Sequence, residues 1–450
     1  MKQHIKEIRD PIHNFIHVDG DEMMLINSRP FQRLRHIHQL AMSYLVYPGA
    51  THKRFEHSLG VMELAGKAFD AISQDDHLDE SARSAFPNIT NPQWKMYWRK
   101  VLRLAALCHD MGHPPFSHAA EKELFPTGIS HESLTRRIIE SDEMLDLFKR
   151  MVPRVQPVDV VKLALGRKEA KDLVFSEEEN LLAEIITGDS LGVDRMDYLL
   201  RDAYHAGVAY GKFDHFRLLE TLRIVPPPSE PEILSKVQHE LKLNLPEPPC
   251  EPSEPSLGLL IGGIHSSEAL LLARYFMYAQ VYFHRVRIAY NHHLKCFLKD
   301  WLPGGLLPTG VEDHLRLTDN EVHTAMRESA GNKDAPGHIH AKRILSREHF
   351  KRLVDFSPAT IRSESDRIED IYESLKQEFG EDNLWLHKFI DPKDPQQFPV
   401  RLKNGRSESS VVHSPVLRSY PKLAFAFILI NPDHRERASR FLKERHDITP

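Results

Sequence analysis

The stretch LAALCHDMGHPPFSH, residues 104–118, ends an apolar run with a dense group of metal-binding side chains. His109 and Asp110 are adjacent, and His113 and His118 follow them closely. Imidazole nitrogens and carboxylate oxygens are ligands for divalent transition metals. Two adjacent ligands can share one ion if a helix end presents both side chains inward. The stretch therefore predicts part of a metal site at His109 and Asp110.

Two other motifs supply ligands of the same kinds. RFEHSLG places His57 at the start of an apolar helix, and GVDRMDYLLRD places Asp194 at the start of another. A single histidine more often caps a helix or belongs to a polar surface cluster. Apolar helices would bury these groups, however, and a buried ionisable group needs a partner. His57, His109, Asp110 and Asp194 would give two imidazoles and two carboxylates, which suit Mn²⁺, Fe²⁺, Mg²⁺ or Zn²⁺ and leave positions for water and phosphate.

The helices that must position these ligands are visible as apolar residues at helical spacing. The predicted helices lie at about 58–72, 99–108, 178–187, 193–204 and, as one long buried helix, 268–302. GHPPF must end the second of them, because proline cannot continue a helix. Near the C-terminus, PKLAFAFILINP is typical of a strand and DHRERASRFLKER of a basic amphipathic helix.

These elements predict a mainly α fold, with a helical core and a smaller mixed α+β C-terminal lobe. VPPPSEPE and LPEPPCEPSEPS are typical of extended linkers or surface insertions. We therefore expect a core at 1–224 and 258–305, a Pro-rich insertion or hairpin at 225–257, and the lobe at 306–450.

Composition limits the function classes. The net charge of −5 offers no global basic field for nucleic acid or membrane, although local basic pockets stay open. Three cysteines, Cys108, Cys250 and Cys296, cannot build a disulfide framework. The N-terminal residues have no apolar signal segment, and no run approaches about 18 apolar residues. We expect a soluble cytoplasmic protein, with Cys108 as a small core residue.

Longer motifs carry a resemblance to a known family. IRDPIHNFI, RPFQRLRHIHQL, YPGATHKRFEHSLG, CHDMGHPPFSH and GVDRMDYLLRDAYHAGV resemble the HD-domain phosphohydrolases, most closely the branch of the dNTP triphosphohydrolases. The resemblance covers about 8–290 apart from the Pro-rich segment, and the C-terminal third is much less similar. It implies an all-helical catalytic core, with His57, His109, Asp110 and Asp194 as the ligands of one metal.

The resemblance also implies residues around the scissile phosphate. His113, His118, Glu121 and His131 match positions there, with Glu121 where an aspartate is common. Either His118 or His131 could protonate the departing oxygen. The sequence leaves that choice open.

Further matches concern the rest of the nucleotide. Arg54 and Arg195 match positions that face the triphosphate, where lysine is often the second residue. Gln39, Tyr198 and Asp202 match positions that recognise the deoxyribose. Asp194, Tyr198 and Asp202 step by four and so share one helical face. A tyrosine ring under the 2′ carbon would exclude a 2′-hydroxyl, although Tyr198 could equally pack in the core. His284, Arg285 and Arg287 are candidates to reach the polyphosphate.

One position departs from the regulated relatives, which carry an aspartate upstream of FQRLR that binds a guanine activator. Asn27 stands there, while Gln32 and Arg35 are retained. An amide cannot accept two hydrogen bonds from guanine as a carboxylate does. Nucleotide activation through these three residues is therefore in doubt, or its base preference differs.

We predict a metal-dependent enzyme that hydrolyses dNTPs to deoxynucleoside and tripolyphosphate, with one divalent metal and a second Mg²⁺ that could accompany the triphosphate. Resemblance alone predicts a homo-oligomer. One alternative is an HD phosphohydrolase for another nucleotide or nucleic-acid phosphoester. Another is a non-catalytic nucleotide or nucleic-acid binding protein, which would have no need of the complete ligand set.

Overall fold

The computed structural model describes residues 5–119, 121–226, 254–391 and 397–448. The described chain is mainly helical and has three small sheets, which confirms the predicted fold class. In the first half the helices are α1 (Gly20–Ile26), α2 (Arg29–Arg33), α3 (Arg54–Ile72), α4 (Glu80–Ala85), α5 (Pro92–Cys108), α6 (Glu121–Leu124), α7 (His131–Ile139), α8 (Asp142–Arg150), α9 (Pro157–Glu169), α10 (Glu177–Thr187), α11 (Val193–Ala206) and α12 (His215–Thr221). In the second half they are α13 (Ile264–Met277), α14 (Arg285–Trp301), α15 (Val311–Arg316), α16 (Asp319–Gly331), α17 (His338–Leu345), α18 (Pro358–Ser363), α19 (Ser365–Phe379), α20 (Ser410–His413), α21 (Pro415–Arg418) and α22 (Arg435–His446).

The helical core is built around α3 and α5, which pack against each other. α11 packs on α3, and α9 packs on α5 and α10. α5 begins where the Asn91 side chain accepts a hydrogen bond from the Gln93 amide at 2.8 Å, and it ends at Cys108, just before the proline-containing loop. Cys108 is fully buried, which confirms its predicted place in the core. α11 ends at Gly207, whose φ of 72° is a left-handed helix cap.

Three small sheets complete the fold. β1 (Lys6–Asp10) and β2 (Asn14–Val18) form an N-terminal antiparallel hairpin that contacts α3. The other strands are β3 (Leu222–Val225), β4 (Ser256–Leu260), β5 (Lys351–Phe356), β6 (Leu384–Ile390), β7 (Pro399–Arg401), β8 (Ser407–Ser409) and β9 (Ala424–Ile430). One sheet has the order β3-β4-β7-β8 and the other the order β5-β9-β6.

The predicted C-terminal strand and basic helix are β9 and α22. β9 is central in its antiparallel sheet, and α19 and α22 cover that sheet with Leu375 and Leu442 in the shared core. β7 and β8 belong instead to the sheet of β3 and β4, where β4 and β7 are parallel. Residues 227–253, most of the predicted Pro-rich insertion, lie outside the described residues, and β3 and β4 on either side of them pair antiparallel. The proposed domain boundaries stay a prediction.

The single long helix predicted at 268–302 is wrong. α13 ends at Met277, a π-helical turn follows at Tyr278–Tyr282, and His284 is extended with φ −60° and ψ 125° before α14 begins. The physical reason lies in contacts outside the helical pattern: Arg287 Nη1 donates to the Tyr282 carbonyl and the Tyr282 hydroxyl donates to Asp202, and Tyr278, Tyr282 and Arg287 line the cavity beside the break. π-turns inside helices often occur at functional sites.

Within the part of the chain that the structure describes, no helix combines the length and the apolar character needed to cross a bilayer.

A buried histidine beneath the C-terminal sheet should make the fold sensitive to acid. His293 on α14 is fully buried, and its Nε2 accepts a hydrogen bond from the Phe350 amide at 3.1 Å. Burial, helped by His292, His340, Arg343 and His349, lowers the pKa of His293 to about 2. In the unfolded chain His293 binds a proton near pH 6.5, whereas in the folded chain it stays neutral until the pH approaches its lowered pKa. The contribution of neutral His293 to stability is therefore complete above pH 6.5 and is lost as the pH falls toward the folded pKa.

We expect His293 to remove about 1.4 kcal/mol of the free energy of unfolding per pH unit below pH 6.5. Chemical denaturation gives the free energy of unfolding at pH 6.5 and at pH 5.0. The decrease between these two pH values should be about 2 kcal/mol smaller for His293→Gln than for the parent. His265→Gln is the control, since the His265 side chain is 87% exposed. Equal losses in all three proteins would contradict the prediction.

Candidate metal centre and substrate cavity

Three helices bring the four predicted ligands to one place. His57 lies in the first turn of α3, His109 and Asp110 directly follow α5, and Asp194 lies in the first turn of α11. His57 Nε2 lies 3.0 Å from Asp194 Oδ1 and 3.6 Å from Asp110 Oδ2. His109 Nε2 lies 3.4 Å from Asp110 Oδ1 and 3.5 Å from Asp194 Oδ1. His57, His109 and Asp110 offer ligand atoms close enough together to share one ion, and the Asp194 carboxylate adjoins both histidines.

The hydrogen bonds behind the two histidines leave their inner nitrogens available to a metal. His109 Nδ1 donates to the Ala106 carbonyl at 2.7 Å, so its proton is on Nδ1 and the lone pair is on Nε2. That Nε2 is buried and has no hydrogen-bond partner among the described residues. His57 Nδ1 lies 2.8 Å from Asp197 Oδ2, which likewise leaves Nε2 toward the carboxylates. This donor set fits a divalent transition metal.

The electrostatics of the centre favour positive charge. Burial opposes a charged imidazole at His57, but hydrogen bonds that its ring donates to the Asp194 and Asp197 carboxylates outweigh burial and raise the pKa of His57 to about 10. Burial also opposes charge on Asp110, yet Arg54 and the neighbouring histidines hold the pKa of Asp110 well below its usual range. Arg54 Nη1 donates to Asp110 Oδ2, so a fixed cation stands beside the ligands.

A second group, formed by His113, His118, Glu121 and His131, adjoins the first. Glu121 joins its members, because its Oε2 lies 2.8 Å from His118 Nδ1 and its Oε1 lies 2.5 Å from His131 Nδ1. Burial opposes charge on Glu121, but the hydrogen bonds from both histidines lower its pKa. Burial and the nearby Arg54 hold the pKa of His113 well below its usual range, so this imidazole is neutral.

The second group suits proton transfer better than metal binding. The rings of His113 and His131 stack with centroids 3.9 Å apart and planes 18° from parallel. A histidine lone pair lies in the plane of its ring, so two stacked rings cannot both point at one ion. His113 Nε2 also lies 3.2 Å from Asp110 Oδ1, which connects this group to the first.

Close backbone packing fixes the loop that carries both groups. A Cβ added at Gly112 would lie 2.1 Å from the His131 carbonyl oxygen, so only glycine lets α7 approach this closely. The Gly112 amide donates to Thr135 Oγ1 at 3.0 Å, and that hydroxyl donates to the His109 carbonyl at 3.2 Å. α7, which carries His131, is thereby held against the metal-ligand loop.

Asp319, the first residue of α16 in the C-terminal part of the chain, supports the same loop. Its carboxylate accepts hydrogen bonds from the Phe116 and His38 amides, both at 2.7 Å. Phe116 and Ser117 have φ values of 56° and 55°, which non-glycine residues rarely adopt. Ser117 Oγ accepts a hydrogen bond from Arg54 Nε at 2.7 Å. Asp319 thus helps to hold the strained turn that orients Arg54.

A cavity of about 960 Å³ opens over both groups. This volume lies within the usual range for small-molecule sites. Of the predicted substrate residues, Gln39, Arg54, Tyr198 and Asp202 line it. Asp202 is held by His52 Nε2 at 2.7 Å and by the Tyr282 hydroxyl at 2.6 Å.

Other predicted residues lie elsewhere or at the edge. Arg195 is not among the described residues that line the cavity. Arg285 Nε donates to Asp355 on β5 at 2.8 and 3.0 Å, whereas Arg287 lines the cavity. The roles of Arg195, Arg285 and His284 toward phosphate stay predictions.

The three candidate regulatory residues lie together around α2. Asn27 is the exposed residue that ends α1. Gln32 Nε2 donates to the Ile26 carbonyl at 2.7 Å, and Arg35 Nε donates to Gln32 Oε1 at 2.9 Å. The Arg35 guanidinium stacks on the Phe55 ring at 3.5 Å. Their role in nucleotide binding stays a prediction.

Sequence reasoning missed the groups behind His57. Asp197 contacts His57, His13 and Arg201, and Arg201 also contacts Asp10. A signal was available for two of them, since Asp197 and Arg201 are one helical turn apart and lie on the same helix as Asp194. Nothing in the sequence pattern pairs His13 with a residue 184 positions away.

The comparisons with known proteins agree with this geometry. Residues 54–202 match the HD domain family, and residues 252–383 match the HD associated region. The chain is 38% identical over 78% of its length to the uncharacterized protein MJ1154 of Methanocaldococcus jannaschii, and 35% identical over 62% of its length to the uncharacterized protein YwfO of Bacillus subtilis. It is 32% identical over 49% of its length to the deoxynucleoside triphosphate triphosphohydrolase SAMHD1 of Bos taurus. It spans 60%, 52% and 38% of the lengths of these relatives, respectively.

Solved structures extend the similarity over nearly the whole chain. A hypothetical protein from Aquifex aeolicus is 30% identical, with a TM-score of 0.74 over 98% of this chain and 100% of its own. A phosphohydrolase from Bacteroides thetaiotaomicron, at 22% identity and a TM-score of 0.68 over 95% of this chain and 100% of its own, shares the fold. With its HD motif residues gathered at one centre, the chain belongs to the HD-domain phosphohydrolases, in the branch that contains the SAMHD1 proteins.

Proposed function

We propose that the protein is a metal-dependent dNTP triphosphohydrolase, which converts a dNTP and water into a deoxynucleoside and tripolyphosphate. The observation that carries the proposal is the position of the four-ligand centre, which forms part of the wall of a cavity large enough for a nucleotide. Relatives named deoxynucleoside triphosphate triphosphohydrolase support the substrate class. The metal identity, a second Mg²⁺ with the triphosphate and a homo-oligomeric state are further parts of the proposal.

The metal centre and Arg54 would act together on the α-phosphate. His57, His109, Asp110 and Asp194 would hold a divalent cation, which stabilises developing negative charge and lowers the pKa of water. Arg54, fixed by Asp110 and Ser117, places a permanent positive charge beside the phosphate. Water attacks the α-phosphorus, the bond from phosphorus to O5′ breaks, and O5′ requires a proton.

His131 is the better placed of the two candidate proton donors. Its Nδ1 is held by Glu121, which orients the ring so that Nε2 is the atom that would donate to O5′. The side chain of His131 is 15% exposed, whereas that of His118 is 62% exposed. A shielded donor keeps its orientation, so we assign the proton to His131 and a supporting position to His118.

Tyr198 would discriminate between deoxyribose and ribose. It lies on the cavity wall in the turn of α11 after Asp194, with its ring 6.3 Å from that of Tyr282. We expect Tyr198→Ala to lower the ratio of kcat/KM for a dNTP to that for the matching NTP by about 10-fold or more, because space opens for a 2′-hydroxyl. Tyr204→Ala is the control, since Tyr204 lies on the same helix but is 55% exposed. An unchanged ratio in Tyr198→Ala would remove this role.

The function is tested by incubating the protein with each dNTP and NTP in Mn²⁺, Mg²⁺, Fe²⁺ or Zn²⁺ and separating the products. Tripolyphosphate with deoxynucleoside supports the proposal. Pyrophosphate or orthophosphate would indicate the alternative, an HD phosphohydrolase for another phosphoester. Tight nucleotide binding without turnover would indicate a binding protein.

A further inference from the structure

Asp197 is a fully buried carboxylate directly behind the ligand His57. Its Oδ2 lies 2.8 Å from His57 Nδ1 and accepts a hydrogen bond from Arg201 Nε at 2.8 Å. Its Oδ1 lies 2.7 Å from His13 Nε2 and accepts a second bond from Arg201 at 2.9 Å. A Cβ at Gly60 of α3 would lie 1.9 Å from Oδ1, so the glycine admits the carboxylate.

The N-terminal hairpin holds the far side of this carboxylate. In its turn, Asp10 Oδ1 accepts hydrogen bonds from the Ile12 and His13 amides, both at 2.8 Å. The other oxygen of Asp10 accepts a hydrogen bond from Arg201 Nη1 at 2.8 Å. The hairpin turn is therefore joined to the metal centre through two buried side chains, His13 and Arg201.

Two buried carboxylates of this group share one arginine. Asp10 and Asp197 are both buried, and among the described residues Arg201, itself fully buried, is the one guanidinium that contacts both. Burying a carboxylate is costly unless positive charge lies nearby. Asp197 also lies against His57, so its negative charge favours positive charge on that ring or a cation on the opposite side of it.

We propose that Asp197 is a positioning residue for the metal, held in place by Asp10 and His13 of the N-terminal hairpin. It fixes the proton of His57 on Nδ1, directs the Nε2 lone pair to the cation and increases the electron density that the ring donates. The hairpin thereby becomes part of the metal centre. The inference rests on the proposed metal site and is independent of the proposed substrate.

The test is the dissociation constant for Mn²⁺ alone, measured on the full chain by competition with a chelator and without nucleotide. We expect Asp197→Asn to raise this constant about 10- to 100-fold, because the ligand loses its charged partner. His13→Gln, which alters one contact on the far side, should raise it a few-fold. In both variants saturating Mn²⁺ should restore most of kcat, which a residue with a merely structural role would not show.

Asp70→Asn provides the matched control, since Asp70 lies on α3 and pairs with Arg99 at the surface. The parental dissociation constant is expected there. If Asp197→Asn and His13→Gln bind Mn²⁺ as the parent does, the inference is wrong. If Asp197→Asn fails to fold, a parental Mn²⁺ dissociation constant in His13→Gln is enough to overturn it. Failure of the parent itself to bind Mn²⁺ or another divalent metal would instead overturn the proposed metal site.

Discussion

Replacing His109 and Asp110 together with alanine should remove the bound metal and lower turnover by about 1,000-fold or more. The double variant deletes one imidazole and one carboxylate of the four that face the same point, and it removes the carboxylate that orients Arg54. The two ligands that remain should hold a divalent ion much more weakly than four do. Metal content of the purified protein and the initial rate of dNTP hydrolysis provide the two measurements.

Two controls separate loss of the site from loss of the fold. Without Asp110 the buried Arg54 loses its charged partner, which costs about 3–5 kcal/mol, so the melting temperature is measured in parallel. His109→Gln leaves Asp110 and Arg54 intact and should still lose most of the metal. His265→Ala, at an exposed histidine, should behave as the parent. A double variant that hydrolyses dNTPs at the parental rate would show that the centre is elsewhere.

The second large effect is expected at His131. His131→Asn should lower kcat about 100- to 10,000-fold, because O5′ would leave without a positioned acid. KM should change little, since the proton is transferred after substrate binds. Glu121→Gln keeps the shape of the partner but removes its charge, and it should give a smaller loss in the same direction.

His118→Asn is the matched comparison, because His118 contacts the same carboxylate from an exposed position. It should retain kcat within about 10-fold of the parent. A larger loss in His118→Asn than in His131→Asn would reverse the assignment of the proton donor. Steady-state kinetics at saturating metal distinguish the two results.

The helices that carry the ligands could be predicted because their signals are local. Apolar spacing and the GHPPF breaker define the end of α5, and glycines lie at both ends of α11. The break at Tyr278–His284 could not be predicted, since no proline or glycine interrupts that segment and the contact of Tyr282 with Asp202 forms only in the folded chain. The pairing of β4 with β7 joins strands about 140 residues apart, which periodicity does not encode.

Part of the candidate site could likewise be predicted from local sequence signals, and part could not. The positions of the four candidate ligands were predictable because each lies at a helix end within a motif. The contacts behind them were not, because His13 and Asp319 meet their partners only through tertiary packing, and Asp197, although it pairs with Arg201 on its own helix, reaches His57 only in the folded chain. Choosing between His118 and His131 also required the folded chain, since both contact Glu121 and their exposure differs only once the chain is folded.

The most direct test is ³¹P NMR of the products formed from an equimolar mixture of the four dNTPs in ¹⁸O-labelled water, recorded after the metal is removed with a chelator. The proposed reaction should give tripolyphosphate that carries the label, while mass spectrometry of the same mixture should find unlabelled deoxynucleosides, and neither product should form when the parent is first stripped of metal. Labelled orthophosphate or pyrophosphate, or hydrolysis that survives metal removal, would contradict it.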